Sequence, residues 1–522
     1  MDESKGLISS ESEQKASFRG DVLSTAKGSS IVAVGRLFNY GGRIVITFVI
    51  VRLLNAEQYG LYNIAISVTT IAAAIALFGL DTTLTRQIAV MKGRRDQAGL
   101  WGTIQIGLSL GLLLSTLLSI ILFALSYPIA TQIFNEPRLA PLLQLSCLFV
   151  PSLTMGDALA GATRGFKNMR DMVVSQNIVQ PIVRLLLVGG LAFFRFNIFH
   201  AIIAYGVADV VSTLMLVYYL NRHFPLKRSL RGARRDTKAI LSFTFPVWLT
   251  GMMSTFRGNI QTLLLGSLTT VVNVGIFSVA SQLNLLGSIF HASITTSSRP
   301  LIAELHDRND WSRLGRLYQT TTRWVVILNL PFILLMMLIP AQLLSLFGKS
   351  FVDGAVALRV LAFVSLVNAG TGMCGAVLEM TGHTTLKLIN AIIRLILSVV
   401  LNLLLIPRWG LLGAAITALI IESVANILPL IQVWNLYRLL PYSRDLVAPI
   451  VGGIAAAAAF ALLALKFPPE NSLIHTVFLI LLSFGVYLAV ILSLGVSAEE
   501  LILLVRSRNR VSALLSRLSN KS

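Results

Sequence analysis

KGSSIVAVGRLFNYGGRIVITFVIVRLLNAEQYGLYNIAIS, running from Lys27 to Ser67, holds an apolar run from Ser29 to about Leu54 that is long enough to cross a bilayer as one helix. Arg36 and Arg43 sit well inside that run. An arginine at the centre of a spanning helix costs roughly 2.5–3.5 kcal/mol on insertion scales, so such residues turn toward a protein interior or a water-filled cavity. Their spacing of seven residues is two helical turns, which puts both guanidinium groups on one face. That face is expected to line something polar and anionic.

Similar runs recur along all 522 residues, of which 55% are hydrophobic and only 13% charged. An all-α polytopic membrane protein follows, with about fourteen transmembrane helices. The candidate spans are 29–54, 61–85, 100–127, 140–163, 172–195, 198–220, 239–268, 274–299, 318–345, 354–379, 386–406, 411–436, 446–466 and 474–496. The net charge of +20 would also suit a nucleic-acid binder, but basic residues in a membrane chain collect in cytoplasmic loops, and no nucleic-acid partner is expected.

Residues 1–28 are polar, lack the apolar core and cleavage site of a signal peptide, and read as a cytoplasmic tail. An even number of spans puts both termini on one side. The face that carries the amino terminus then also carries the loops with Arg86, Lys92, Arg94 and Arg95, with Arg164, Lys167 and Arg170, and the basic run Arg222 to Lys238. The opposite loops hold only Arg52, Arg138, Arg195, Lys349, Arg408 and Lys466. The positive-inside rule makes both termini cytoplasmic in a multi-pass protein of the cytoplasmic membrane. Residues 497–522 mix aliphatics and arginines at helical spacing and read as a basic amphipathic tail on the membrane surface.

The chain also repeats itself. Gly60-Leu-Tyr-Asn-Ile-Ala-Ile-Ser67 resembles Gly275-Ile-Phe-Ser-Val-Ala-Ser-Gln282, and Pro181-Ile-Val-Arg-Leu-Leu-Leu187 resembles Ala391-Ile-Ile-Arg-Leu-Ile-Leu397. Arg86 pairs with Arg299, and Asp209 with Glu422. Spans one to six and seven to twelve therefore read as two pseudo-symmetric six-helix lobes related by an axis along the membrane normal. The expected organisation is an N-lobe at 29–238, a C-lobe at 239–445 and accessory helices thirteen and fourteen at 446–496.

Intramembrane charge follows the repeat. Arg43 has a near counterpart in Arg257, and Arg184 is matched by Arg394. Arg36, Arg43, Arg184, Arg257 and Arg394 are expected to converge on a cationic cavity between the lobes. Guanidinium groups stay charged in a partly dry site and grip phosphate through paired hydrogen bonds, so an amphiphilic anion with a pyrophosphate head is the matching cargo. Asp209 and Glu422 are candidates either for binding a coupling ion or for pairing with Arg184 and Arg394. Asp81, Asp157 and Glu379, nearer the loops, read as partners in salt bridges or caps. Asn63, Gln105, Asn177, Gln180 and Gln282 are candidate sugar contacts.

Arg52 to Ala89, RLLNAEQYGLYNIAISVTTIAAAIALFGLDTTLTRQIA, resembles the opening of the polysaccharide flippases of the multidrug, oligosaccharidyl-lipid and polysaccharide exporter superfamily. Ser242-Phe-Thr-Phe-Pro246, Ser298-Arg-Pro-Leu-Ile-Ala303 and Ile406-Pro-Arg-Trp-Gly-Leu-Leu-Gly-Ala414 are similar to later parts of that family. The resemblance implies fourteen helices in two lobes, alternating access, and a polyprenyl-pyrophosphate-linked oligosaccharide carried across the cytoplasmic membrane for cell-surface polysaccharide synthesis. A polysaccharide polymerase and a chain-length regulator are implied partners, beside membrane lipids. Many relatives carry an acidic residue in span seven where this chain has Asn259 and Gln261.

Enzyme chemistry is not expected. His200, His223, His291, His306, His383 and His475 are scattered without metal spacing, Cys147 and Cys374 lie in apolar segments, and no catalytic set, metal site or cofactor motif is present. The alternatives within transport are a multidrug exporter and a peptidoglycan-precursor flippase of the same superfamily. A membrane polymerase or glycosyltransferase is the alternative from another class.

Overall fold

The computed structural model describes residues 38–166, 168–224, 237–466 and 473–494. Arg36, the expected amino-terminal tail, much of the basic run after Arg222 and the expected amphipathic tail lie outside them. The regular elements among the described residues are helices, as lipid requires of a spanning chain that must satisfy every backbone N–H and C=O internally. They are α1 (38–53), α2 (Ala56–Leu77), α3 (Leu80–Gly93), α4 (Gln97–Pro128), α5 (Leu139–Cys147), α6 (Val150–Gly165), α7 (Met169–Met172), α8 (Gln180–Ala192), α9 (Ile198–His223), α10 (Thr237–Leu268) and α11 (Val271–Asn284). There follow α12 (Ile289–Asp307), α13 (Trp311–Leu338), α14 (Pro340–Ser345), α15 (Ala355–Thr371), α16 (Cys374–Met380), α17 (Thr384–Tyr437), α18 (Val447–Lys466) and α19 (Leu473–Leu494).

Ten helical stretches among the described residues are long and apolar enough to span a bilayer, and the bent pair α5–α6 makes eleven. The protein is thus polytopic and all-helical. Gly410, at φ +52° and ψ −125°, interrupts α17 between the two spans expected at 386–406 and 411–436. Gly372, at φ +61°, ends α15 inside the span expected at 354–379. Short polar side chains start the helices: Asn55 accepts from the Gln58 N–H at 2.8 Å, Asp96 from Gly99 at 2.8 Å and Asp310 from Arg313 at 3.0 Å.

The chain forms two compact units. The first comprises residues 1–282, 344–357 and 395–417. Its core packs Leu80, Leu84 and Ile88 of α3 against Trp101 and Ile104 of α4, Leu159 of α6 and Leu216 of α9. Small residues set the approach: Gly161 of α6 lies on the Asp81 backbone, and the Thr85 hydroxyl donates to the Gly161 carbonyl at 2.8 Å. Two further glycines set a close approach in this unit. A Cβ on Gly60 would run into the Val271 carbonyl and the Gly275 N–H; one on Gly275 would run into the Ala56 carbonyl and the Gly60 N–H. The two glycines that align in sequence thus meet each other, through reciprocal contacts, at the crossing of α2 and α11.

The second unit comprises residues 283–343, 358–394 and 418–522. Ile302, Leu314, Tyr318, Met373, Val377 and Val433 form its core, and the Tyr318 hydroxyl donates to the Thr371 carbonyl at 2.8 Å, just before the break at Gly372. Helices α18 and α19 pack on α13, where the Tyr487 hydroxyl donates to the Ile327 carbonyl at 3.0 Å. Cys147 and Cys374 are both free and buried.

Candidate functional site

In the first unit, α1 and α8 bring two of the expected arginines together. Gly42 leaves room that Pro181 fills, with 3.2 Å between the position of an added Cβ and the proline ring. Arg43 follows Gly42, and Arg184 lies one turn after Pro181. The Arg184 guanidinium donates to the Tyr62 hydroxyl and stands 4.9 Å from the Tyr205 ring, while its Nε has no hydrogen-bond partner among the described residues. Tyr62 stacks on Tyr59 at 5.9 Å, and Arg43 and Arg184 both act electrostatically on this pair of phenols. Arg43 itself is exposed, as is its repeat counterpart Arg257 on α10, and neither makes an ion pair or hydrogen bond among the described residues. Asn259 donates to the Thr255 carbonyl at 3.0 Å and Gln261 to the Ala414 carbonyl at 2.5 Å.

Asp209 does not pair with Arg184. It is 7% exposed on α9 and accepts from Ser152 Oγ of α6 at 2.6 Å and from Gln180 Nε2 of α8 at 3.1 Å. Gln176, in the π-helical turn Val173–Val179 that leads into α8, donates to Asp157 at 3.3 Å. Two glutamines one turn apart therefore each hold one aspartate, exposed Asp157 and buried Asp209. Gln180, expected among the sugar contacts, is committed to Asp209 instead. Asn63 likewise turns inward, to the Tyr59 carbonyl at 2.7 Å. At the start of α3, Asp81 pairs with Arg164 at 3.5 Å.

The second unit contains the other expected pair, and there the charges do meet. Arg394 and Glu422 form an ion pair across the two arms of α17, with side chains 20% and 32% exposed. Glu379 binds both Arg299, at 3.2 Å, and Lys387, at 2.9 Å, in the loop-side role expected of it. Within this unit α13, α18 and α19 line an open, almost wholly apolar cavity of about 430 Å³ that includes Phe290, Leu328, Phe332, Phe460 and Phe484. Sequence reasoning missed Ser152, Tyr62 and Tyr205, because a serine and two tyrosines in apolar helices carry no pattern of their own.

The described residues thus form a polytopic helical bundle that carries exposed arginines and a buried carboxylate within its spans. Residues 25–306 match the family described as "Polysaccharide biosynthesis protein", and the chain belongs to that family. Residues 246–404 also match the MatE family. The probable flippase AglR of Haloferax volcanii is 25% identical over 299 residues, covering 56% of this chain and 61% of AglR. The capsular polysaccharide biosynthesis protein CapF of Staphylococcus aureus is 25% identical over 211 residues, covering 40% of this chain and 53% of CapF. The match thus spans less than two thirds of either relative. Among solved structures, the lipid II flippase MurJ in an inward closed conformation superposes with a TM-score of 0.70 over 88% of this chain and 97% of MurJ, at 12% identity.

Proposed function

We propose that the protein is a flippase that moves a polyprenyl-pyrophosphate-linked oligosaccharide across the cytoplasmic membrane by alternating access of lobes 29–238 and 239–445, with both termini cytoplasmic. The observation that carries this reading is the pair Arg43 and Arg257. Both stand in apolar, repeat-related helices, exposed and without an acidic partner among the described residues. A solitary arginine at membrane depth is tolerated where it meets water or an anionic ligand, and a pyrophosphate supplies the matching charge and acceptors. Arg184, with an Nε unpartnered among the described residues, belongs to the same set, and Arg36 completes it as a sequence-derived member. The apolar cavity among α13, α18 and α19 suits a prenyl chain, and the description of AglR as a probable flippase and of CapF as a capsular polysaccharide biosynthesis protein supports the reading. A polymerase and a chain-length regulator would then receive the cargo. No bond is made or broken.

The test is flipping in liposomes that carry a fluorescent polyprenyl-pyrophosphate oligosaccharide. Each of Arg43→Ala and Arg257→Ala removes hydrogen bonds to a charged group worth about 1.5–3 kcal/mol, so transfer is expected to fall by roughly 10- to 100-fold. Transfer by both variants at the wild-type rate would refute the assignment of these arginines. No transfer by wild type above empty liposomes would refute the flippase reading.

A further inference from the structure

The first unit holds a cavity of about 250 Å³ at the end of the bundle where α3, α6 and α9 finish, built from none of the arginines assigned to the cargo. Part of its lining is apolar, with Leu100, Phe166 and Phe224, and part is polar, with Lys92, Asp96 and Gln97. Phe224 is buried against Trp101, at 4.5 Å between ring centroids, and against Phe166, at 6.2 Å. The turns on either side are closed by their own backbones. Arg95, at φ +56°, ends α3, and the Asp96 N–H returns to the Met91 carbonyl at 3.0 Å. After α6 the Asn168 N–H donates to the Thr163 carbonyl at 3.2 Å.

Lys92 joins the two turns. Its Nζ donates to the Phe166 carbonyl at 3.3 Å and lies 5.5 Å from the Phe166 ring centroid. An ammonium carries three N–H donors, so that bond leaves two for a ligand. The surrounding charge has one sign. Apart from the Arg164–Asp81 pair, the described residues within four positions of the lining include Lys92, Arg94, Arg95, Arg170 and Arg222, all exposed, against Asp96 and Asp171. Asp96 is turned to the Gly99 N–H at 2.8 Å, and buried Asp171 accepts from Asn168 at 2.8 Å.

We propose that this cavity binds an anionic phospholipid of the adjoining leaflet, with a phosphate oxygen on Lys92 Nζ and the glycerol backbone against Phe166 and Phe224. A basic pocket among the ends of membrane helices is suited to a lipid head group, and each neighbouring arginine adds to the attraction. The aromatic wall favours the lipid over free phosphate, which has no apolar stem to set against it. Gln97, exposed at the start of α4, adds a neutral donor. The bound lipid ties the α3–α4 turn to the α6–α7 turn and to the end of α9. The site goes beyond the cargo reading and is tested without any cargo.

The test uses the full-length protein in micelles, titrated with phosphatidylglycerol brominated in its acyl chains, which quenches nearby tryptophan. Trp101 stands behind Phe224, and the difference between wild type and Trp101→Phe isolates its emission. Its quenching is expected at about tenfold lower mole fraction of brominated phosphatidylglycerol than of brominated phosphatidylcholine, an advantage that salt reduces. Lys92→Gln loses a charge-assisted hydrogen bond and should need about tenfold more phosphatidylglycerol, whereas Lys92→Arg should keep most of the affinity. Arg138→Gln, at the other end of α4, should bind like wild type. Equal midpoints for the two lipids in wild type, or an unshifted midpoint in Lys92→Gln, overturn the proposal. Relief of quenching by inorganic phosphate or glycerol phosphate identifies a soluble-phosphate site and overturns the lipid as occupant. Thermal unfolding gives a second measurement that needs no change at Trp101. Phosphatidylglycerol should raise the midpoint of wild type and not that of Lys92→Gln, and an equal rise in both overturns the proposal.

Discussion

Gly60→Ala is expected to destabilise the first unit, although alanine is the better helix former. The added Cβ would lie inside the Val271 carbonyl, 2.8 Å from its carbon and 3.1 Å from the Gly275 nitrogen. These are backbone atoms, which cannot rotate away as a side chain could, so α2 and α11 must part. Overpacking of this kind costs about 1–3 kcal/mol, and the gap opened along the rest of the crossing forfeits further dispersion. Helix propensity returns at most about 1 kcal/mol, which leaves a net loss of up to about 2 kcal/mol before the forfeited dispersion is added. Gly189→Ala on α8 is the control, because nothing lies within 4 Å of its added Cβ and the propensity gain should appear as a small stabilisation. Gly275→Ala meets the mirror-image obstruction and should cost a similar amount. Once one substitution has parted the helices the second finds them apart, so the double variant should lose less than the two single losses added together. The assay is denaturant unfolding of the purified protein in mixed micelles. A Gly60→Ala variant as stable as Gly189→Ala, or strict additivity in the double variant, would refute the reciprocal crossing.

Glu422→Gln strips Arg394 of its ionised partner; fully buried pairs lose 3–5 kcal/mol when broken, and the partial exposure here reduces the expected destabilisation to about 1–3 kcal/mol, measurable by the same unfolding titration and reduced when Arg394→Leu is added. The loop after α4 gives a pH dependence. A hydrogen bond from Arg138 Nε at 2.7 Å holds the Glu136 carboxyl below its ordinary range. A depressed carboxylate stabilises the fold above its unfolded pKa and loses that contribution as pH falls through the folded one. Arg138→Gln should therefore be slightly less stable than wild type at neutral pH, by no more than about 1 kcal/mol because Arg138 is 60% exposed, and the difference should vanish on acidification below the carboxylate range. A difference that grows in acid would contradict the assignment.

The helical, membrane-spanning class was legible from composition and run length, because lipid leaves a spanning chain few other choices. The breaks were not. Leu61 to Thr85 reads as one apolar span, yet Phe78 at φ +48° and Gly79 at φ +70° separate α2 from α3. Gly79 packs against the Trp248 backbone of α10, a partner distant in sequence. Intramembrane charges were equally legible as a set, since each stands out in an apolar run. Their partners were not, because pairing depends on helix rotation. Arg394 meets Glu422 and Arg184 misses Asp209, and Gln180, polar enough to suggest a sugar contact, is already engaged.

That divergence has a further consequence. Twenty-five residues separate Arg184 from Asp209, and twenty-eight separate Arg394 from Glu422. Residues 193–197 between α8 and α9 are not helical, whereas Arg394 and Glu422 are joined through the single break of α17 at Gly410. Both segments that resemble each other in sequence keep their arginine and their acid; what differs is the length of chain between them. The connection between the helices, as well as the residues on them, then sets whether the acid meets its arginine. A comparison that scores residue identity alone would rate the two halves as equivalent.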